Sequence, residues 1–267
     1  MKKNVFIYRN ETKVSKATEN EIRETLQSED YIIHDELDNS VELIFCIGGD
    51  GTFLDFLQQY DFPEIHIVGV NTGTLGFFQE IEPKGLKKHI EKLKQGKYKL
   101  QKINPVKAVI KTKSDTKVMY GMNEIALKAA GNYLLHLNVA ISNEPIEKFN
   151  GDGILISTST GSTAYNYSLG GGIVDPRLKL LQVTPMAPLN STAYRTFTSS
   201  IILPDKRDLV IKPETREGQE KIFLCCDRLS VPYDDIKEVA VSLSPKEIQL
   251  VRSEDYNFWS KVKSKFL

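Results

Sequence analysis

Ile47-Gly48-Gly49-Asp50-Gly51-Thr52-Phe53-Leu54 decides how this chain is read. The run before it, Val41-Glu42-Leu43-Ile44-Phe45-Cys46, alternates little, as a strand buried on both faces of a parallel sheet does. Phe53, Leu54 and Leu57 follow at helical spacing and predict a helix from about Thr52. Between strand and helix, Gly48, Gly49 and Gly51 surround one carboxylate. Glycine permits positive φ and lets a ligand approach the backbone without meeting a Cβ. Amides near a helix N-terminus suit phosphate oxygens. A carboxylate repels phosphate unless it is itself a working part, and that conflict singles out Asp50.

Outward from this loop, the flanking sequence repeats the strand–helix theme. Asn4–Tyr8, Tyr31–His34, Val41–Ile47 and Ile65–Val70 read as strands, and Ser15–Asp30 as a helix with Ile22 and Leu26 inward. This alternation predicts an α/β N-terminal domain with a mostly parallel sheet, over residues 1–98. Ligands bind beyond the carboxyl ends of such strands. The glycine loop and Asn71-Thr72-Gly73-Thr74-Leu75-Gly76-Phe77 both fall there, as two expected walls of one crevice. A further helix opens at Glu82-Pro83, carries Leu86, Ile90 and Leu93 on one face, and ends at Gly96. From residue 99 to 252 short strand-like runs without regular helices predict a β-rich C-terminal domain. Residues 253–267 end in a short amphipathic tail helix, Phe258–Phe266, whose lysines 261, 263 and 265 read as a solvated face.

With 267 residues the chain can bury a sizeable core. Lysine plus arginine balances aspartate plus glutamate at 35 each, so no global field recruits nucleic acid or an anionic membrane. Neither partner is expected. No apolar run approaches the ~20 residues a spanning helix needs, and the first residues lack a signal-peptide core. Cys46, Cys225 and Cys226 offer neither a disulfide framework nor zinc spacing, so a cytoplasmic protein with reduced thiols is expected.

The second concentrated signal runs from Gly151-Asp152-Gly153 through Ile154–Ser157 into Thr158-Ser159-Thr160-Gly161-Ser162-Thr163-Ala164-Tyr165-Asn166-Tyr167-Ser168. A glycine turn feeds an apolar strand, and a hydroxyl-rich turn then predicts a helix start near Ser162, capped by Ser162 or Thr163. Tyr165 offers a flat ring for a base, or a core side chain. Asp152 offers a carboxylate to ribose hydroxyls, or a turn-forming side chain. Composition of this kind suits a nucleoside better than a metal.

Together Gly48–Thr52, Asn71–Phe77, Asn123-Glu124 and Gly151–Gly171, with Asp227 also fitting and weaker matches at Ala187 and Tyr194-Arg195-Thr196, resemble the NAD kinase family. The resemblance implies an ATP-dependent enzyme that phosphorylates the 2′-hydroxyl of the adenosine ribose of NAD. It implies an α/β domain, a β-rich domain, and a site between them completed by a neighbouring subunit in a homodimer or homotetramer. Asp50 is then the catalytic carboxylate, and Gly48, Gly49 and Thr52 the phosphate loop. Gly51, Phe77, Asn123, Glu124, Asn150, Asp152, Thr160, Thr163, Ala164, Tyr165, Ser168 and Ala187 are then the NAD-binding positions. Asn123 and Glu124 address the adenosine, while Asp152, Thr163, Ala164, Tyr165 and Ser168 meet the dinucleotide's other end or cross to the neighbouring subunit. Mg²⁺ is expected to travel with ATP, since it prefers phosphate oxygens, water and one or two carboxylates. Asn150 stands where many bacterial relatives carry arginine, and Ser159 where proline is frequent.

Two other readings compete. A lipid kinase shares the glycine loop but wants an apolar channel, against the hydroxyl-rich stretch Thr158–Ser168. A non-catalytic dinucleotide sensor fits the fold but gains little from a carboxylate facing phosphate. His34, His66, His89 and His136 read as packing or surface residues, and the Cys225-Cys226 pair as inert.

Overall fold

A computed structural model describes residues 3–27, 31–131, 133–192, 195–214 and 221–267. The chain forms two compact units, Met1–Ile103 with Glu247–Leu267, and Asn104–Lys246.

The first unit is built on one six-stranded sheet. Its strands are β1 (Lys3–Arg9), β2 (Tyr31–His34), β3 (Leu43–Gly48), β4 (His66–Asn71), β5 (Lys99–Ile103) and, from the far end of the chain, β18 (Ile248–Arg252). Their order is β2-β1-β3-β4-β18-β5. All neighbours are parallel except β5, which runs antiparallel to β18. Every residue of β3 is buried, as its unalternating sequence requires of a central strand covered on both faces. Helices α1 (Lys13–Gln27), α2 (Asp50–Gln59), α3 (Leu86–Lys94) and α5 (Phe258–Phe266) complete the unit. Ile22 and Leu26 of α1 join Phe45 and Ile47 of β3 and Leu86, Ile90 and Leu93 of α3 in one core cluster. Gly96 closes the α3 end at φ 68°, a left-handed position that favours glycine.

The second unit contains two six-stranded antiparallel sheets. One orders Glu144–Gly151 (β10), Leu135–Ile141 (β9), Leu209–Pro213 (β14), Glu238–Leu243 (β17), Val106–Lys111 (β6) and Thr116–Gly121 (β7). The other orders Ile201–Pro204 (β13), Leu180–Met186 (β12), Gly153–Thr158 (β11), Glu124–Ala129 (β8), Ile222–Cys226 (β15) and Leu229–Tyr233 (β16). Alternate residues of both sheets enter one core, with Val106, Ala108 and Ile110 of β6 sharing a cluster with Ile154 and Ile156 of β11 and Leu224 of β15. A sandwich buries alternating faces in this way. No helix among the described residues is long and apolar enough to cross a membrane.

Three expectations change. Residues 99–103 and 248–252 belong to the first sheet, not to the β-rich unit, because β18 pairs in parallel with β4 and carries β5 on its other edge. The tail helix therefore belongs to the first unit, and the boundaries at 98 and 252 move to 103 and 246. Where a regular helix was expected from Ser162, a 3₁₀ turn over Thr160–Thr163 leads into a single helical turn, α4 (Tyr165–Ser168). Ser162 and Thr163 do not cap it. The Ser162 hydroxyl donates to the Ser159 carbonyl and accepts from the Val174 amide, and Thr163 donates to the Thr160 carbonyl.

The returning strand makes a specific demand on stability. Leu250 is 1 % exposed between β4 and β5. Leu250→Ala should cost about 2–5 kcal/mol. Hydrogen exchange should speed up at the β3 and β4 amides and stay unchanged at β11.

Candidate active site

The carboxyl end of β3 and the start of α2 form the glycine turn. Gly49 is the N-cap of α2, extended at φ −107° and ψ −175°, with no side chain capping the helix. A Cβ added to Gly49 would meet nothing within 4 Å, so its surface is open to an approaching group. Gly48 is different: a Cβ there would fall 2.2 Å from the Thr52 hydroxyl oxygen. That hydroxyl accepts from Asn10 Nδ2 at 3.1 Å. Gly51 lies in the first turn of α2. Phe53, Leu54, Phe56 and Leu57 bury the inner face of the helix, and Phe53 stacks on Phe78 with centroids 4.6 Å apart.

Asp50 is half-buried and faces the loop that follows β4. Its Oδ2 accepts from the Phe77 amide at 2.8 Å, and its Oδ1 from the amides of Phe78 at 3.0 Å and Gln79 at 3.4 Å. Gly76 allows this approach, since a Cβ at 76 would lie 2.2 Å from Asp50 Oδ1. The two loops are thus tied together at the carboxylate. They are not separate walls, and Thr72 adds a bond from its amide to the Gly48 carbonyl at 3.0 Å.

The carbonyl side of the same segment is held by two cations. Arg252, 4 % exposed at the end of β18, donates from Nη2 to the Phe77 carbonyl at 2.8 Å and from Nη1 to the Phe78 carbonyl at 2.9 Å. Lys261 of α5 donates to the carbonyls of Gly76 at 3.1 Å and Gln79 at 3.0 Å. Lys261 is therefore half-buried and engaged, not part of a solvated face; Lys263 and Lys265 are exposed as expected. Phe77 sends its ring onto α5, 5.6 Å from Phe258 and 6.2 Å from Phe266, leaving its backbone to serve Asp50.

The second unit repeats the device. The Asp227 carboxylate accepts from the amides of Met122 at 2.6 Å, Asn123 at 2.7 Å and Glu124 at 3.2 Å. Asp227 itself sits at φ 49°, and its amide returns to the Glu124 carbonyl. The Asn123 carbonyl takes the Thr158 amide at 2.9 Å, and a Cβ on Gly161 would come within 1.9 Å of that oxygen. Thr160 donates to the Met122 carbonyl at 3.3 Å and contacts the Thr158 hydroxyl at 2.9 Å. The hydroxyl-rich stretch thus braces the Asn123-Glu124 corner. Burial, and then the neighbouring Asp227 carboxylate, push Glu124 up to about 8. Its Oε2 is buried with no hydrogen-bond partner.

Asp152, Tyr165 and Ala187 come together around a cavity of about 520 Å³, lined also by Lys128, Leu169 and Met186. Asp152 and Tyr165 are exposed, with one face of the tyrosine ring covered by the Lys128 ammonium at 4.3 Å. Ala187 holds φ 43°. Ala164 is the N-cap of α4, which Tyr165 opens and Ser168 ends. Asn150 departs from this group. It is 3 % exposed, its side chain bonds His136 and the Lys148 carbonyl, and its own carbonyl takes the Leu189 amide. Tyr194 lies outside the described residues. Cys46 is buried, and its thiol is pushed up to about 12 by that burial; burial also raises Cys226. Neither is a nucleophile near neutrality.

Lys128, Arg252 and Lys261 were not legible as site residues. Asp227 fitted the family pattern, but nothing in its local sequence announces three amides at the start of the neighbouring strand.

Two family models match the chain: the ATP-NAD kinase N-terminal domain over residues 2–98 and the ATP-NAD kinase C-terminal domain over 122–253. An NAD kinase of Finegoldia magna is 35 % identical over 268 residues, covering 98 % of this chain and 97 % of that protein. NAD kinase 1 of Listeria monocytogenes is 32 % identical over 230 residues, covering 85 % and 86 %. Among solved structures, yeast NADH kinase complexed with NADH superposes with a TM-score of 0.82 at 22 % identity, covering 99 % of this chain and 87 % of that one. An NAD kinase from Archaeoglobus fulgidus in complex with ATP gives 0.78 at 21 %, covering 98 % and 99 %.

Glu124 generates a pH signature in the unliganded protein. Unfolded, it ionises near about 4.3, whereas folded it keeps its proton until about 8. Its stability contribution is whole below the unfolded value and is lost as pH rises through the folded one. Glu124→Gln should therefore gain on the parent by about 2 kcal/mol between pH 5 and pH 7, read from urea unfolding at both.

Proposed function

The chain belongs to the ATP-NAD kinase family, and from that premise we propose that it moves the γ-phosphoryl group of ATP to the 2′-hydroxyl of the adenosine ribose of NAD, giving NADP. The observation that carries this reading is Asp50, a carboxylate held by three amides at the open end of a glycine turn. Neither a lipid kinase nor a dinucleotide sensor receives support from the comparisons.

Phosphoryl transfer asks the protein for alignment, for charge neutralisation and for somewhere to put one proton. Asp50 is assigned the proton. An ionised carboxylate offers about four lone-pair positions. Oδ1 already accepts two amides and Oδ2 one. Oδ2 therefore keeps room for a hydroxyl, and it is the oxygen assigned to the 2′-OH. A carboxylate is a weak base at neutral pH, but a loose transition state needs little base strength before the leaving oxygen departs. Gly49, whose surface is open, and the first amides of α2 are assigned to phosphate oxygens, with Gly48 and Thr52 shaping the turn.

For the adenosine, Asn123 brings both donor and acceptor, and Glu124, neutral through neutrality, can donate. Asp152, Tyr165 and Ala187 are assigned to the other end of the dinucleotide because they share one cavity. Thr160, Thr163, Ala164 and Ser168 belong to the same segment, Thr160 through its brace on Met122. Asn150 acts, on this reading, by fixing the turn before Gly151 through its carbonyl and side chain. Mg²⁺ is assigned to ATP: a single carboxylate among amides and peptide carbonyls fits an ion held chiefly by phosphate and water. A cytoplasmic location and self-association into a homodimer or homotetramer complete the proposal. Exposed Tyr167, Leu178, Phe197 and Ile202 in the second unit support the latter, and native mass spectrometry measures it.

Asp50→Asn tests the assignment. General-base help is worth ~10²–10⁴-fold. The variant should lose at least about 100-fold in kcat for NADP formation, while calorimetric NAD binding stays near the parental value. Turnover close to the parent would remove Asp50 from the chemistry.

A further inference from the structure

Three successive peptide planes stand between Asp50 and a pair of cations. The Gly76–Phe77 peptide donates its N–H to Asp50 Oδ2 and receives Lys261 on its carbonyl. The Phe77–Phe78 peptide donates to Oδ1 and receives Arg252 Nη2. The Phe78–Gln79 peptide donates to Oδ1 and receives Arg252 Nη1. A cation on a carbonyl oxygen draws electrons through the amide and strengthens the N–H as a donor, as chains of hydrogen bonds do. We propose that Lys261 and Arg252 are positioning residues for phosphoryl transfer, setting the orientation and hydrogen bonding of the Asp50 carboxylate through these three peptides without touching it. The inference rests on the assignment of Asp50 as the proton acceptor.

The two cations are not equivalent. Arg252 is locked from several sides: Nε donates to Gln101 at 2.7 Å, the guanidinium lies 4.2 Å from the Tyr256 ring centroid, and Glu80 approaches to 3.6 Å. Lys261 is the adjustable member. Burial, and next the Arg252 charge, lower its ammonium to about 8, with Glu80 and Asp50 opposing and Lys265 adding to the fall. Tyr256 lies 5.5 Å from it. Lys88, His89 and Lys92 of α3 line the same hollow, as does Asp255. Within that surround the lysine is charged below about pH 8 and neutral above it. Its pull on the Gly76 carbonyl weakens as it loses the proton.

The test uses the full-length enzyme, with initial rates of NADP formation from ATP, Mg²⁺ and NAD at pH 6.5 to 10. In the parent, kcat/KM should fall as pH rises through about 8. Lys261→Met should lower kcat at pH 7 at least tenfold, leave KM for NAD within threefold, and abolish that alkaline limb. Lys261→Arg, charged throughout, should recover most of kcat and also lack the limb. In an Asp50→Asn background, Lys261→Met should change the residual rate less than twofold, since the two act as one unit. A parental kcat in Lys261→Met, or the parental limb persisting in Lys261→Arg, overturns the proposal. Should the methionine variant fail to fold by circular dichroism, the arginine variant alone decides by its limb. A parent that makes no NADP, or an Asp50→Asn enzyme with parental kcat, overturns the underlying assignment instead, and is distinguished by needing no Lys261 variant to appear.

Discussion

The first unit depends on how Asp50 is held. A half-buried carboxylate at the turn between β3 and α2 is an electrostatic liability, and the amides of Phe77, Phe78 and Gln79 convert it into an anchor. Those amides are available because Gly76 leaves no Cβ in the way, and they are oriented because Arg252 and Lys261 occupy the opposite edge of the same peptides. Charge alternates through the assembly: carboxylate, peptide dipole, cation. Each layer compensates the burial of the next, and a buried cation such as Arg252 is tolerable only when surrounded in this way.

The second unit solves a similar problem with a different outcome. Asp227 also takes three consecutive amides, at Met122, Asn123 and Glu124. Here the carbonyls of Met122 and Asn123 are taken by the hydroxyls of Thr158 and Thr160 and by the Thr158 amide. The neighbouring carboxyl, Glu124, is pushed up to about 8, first by its own burial and then by the Asp227 carboxylate. Both nests gather three successive amides on one carboxylate, and only the second has a further acid, Glu124, buried beside it.

Much of this was legible in the chain itself, and the failures have physical causes. The central strand and the glycine turn were readable because β3 is buried on both faces and its composition records that. The alternating strands of the sandwich were readable for the complementary reason, one face in and one out, as in Val106–Lys111. Glu144–Gly151 was not readable, since its buried residues fall together at one end and its sequence lacks an apolar period. The hydroxyl-rich turn looked like a capped helix because serine and threonine serve caps and 3₁₀ turns alike. Arg252 and Lys261 were invisible for a deeper reason. Each acts through hydrogen bonds to the backbone of residues about 175–185 positions away, and backbone carbonyls carry no residue-specific signature.

β18 occupies an interior place in the first sheet although it is the last strand made. On a ribosome, β1 to β5 emerge with the slot between β4 and β5 still empty. The whole sandwich, contiguous from Asn104 to Lys246, is synthesised before the missing strand appears. At ~5–20 residues per second, that interval lasts roughly seven to thirty seconds. A nascent chain thus exposes an open sheet edge throughout that interval, and the anchor for the Asp50 carboxylate arrives only after it.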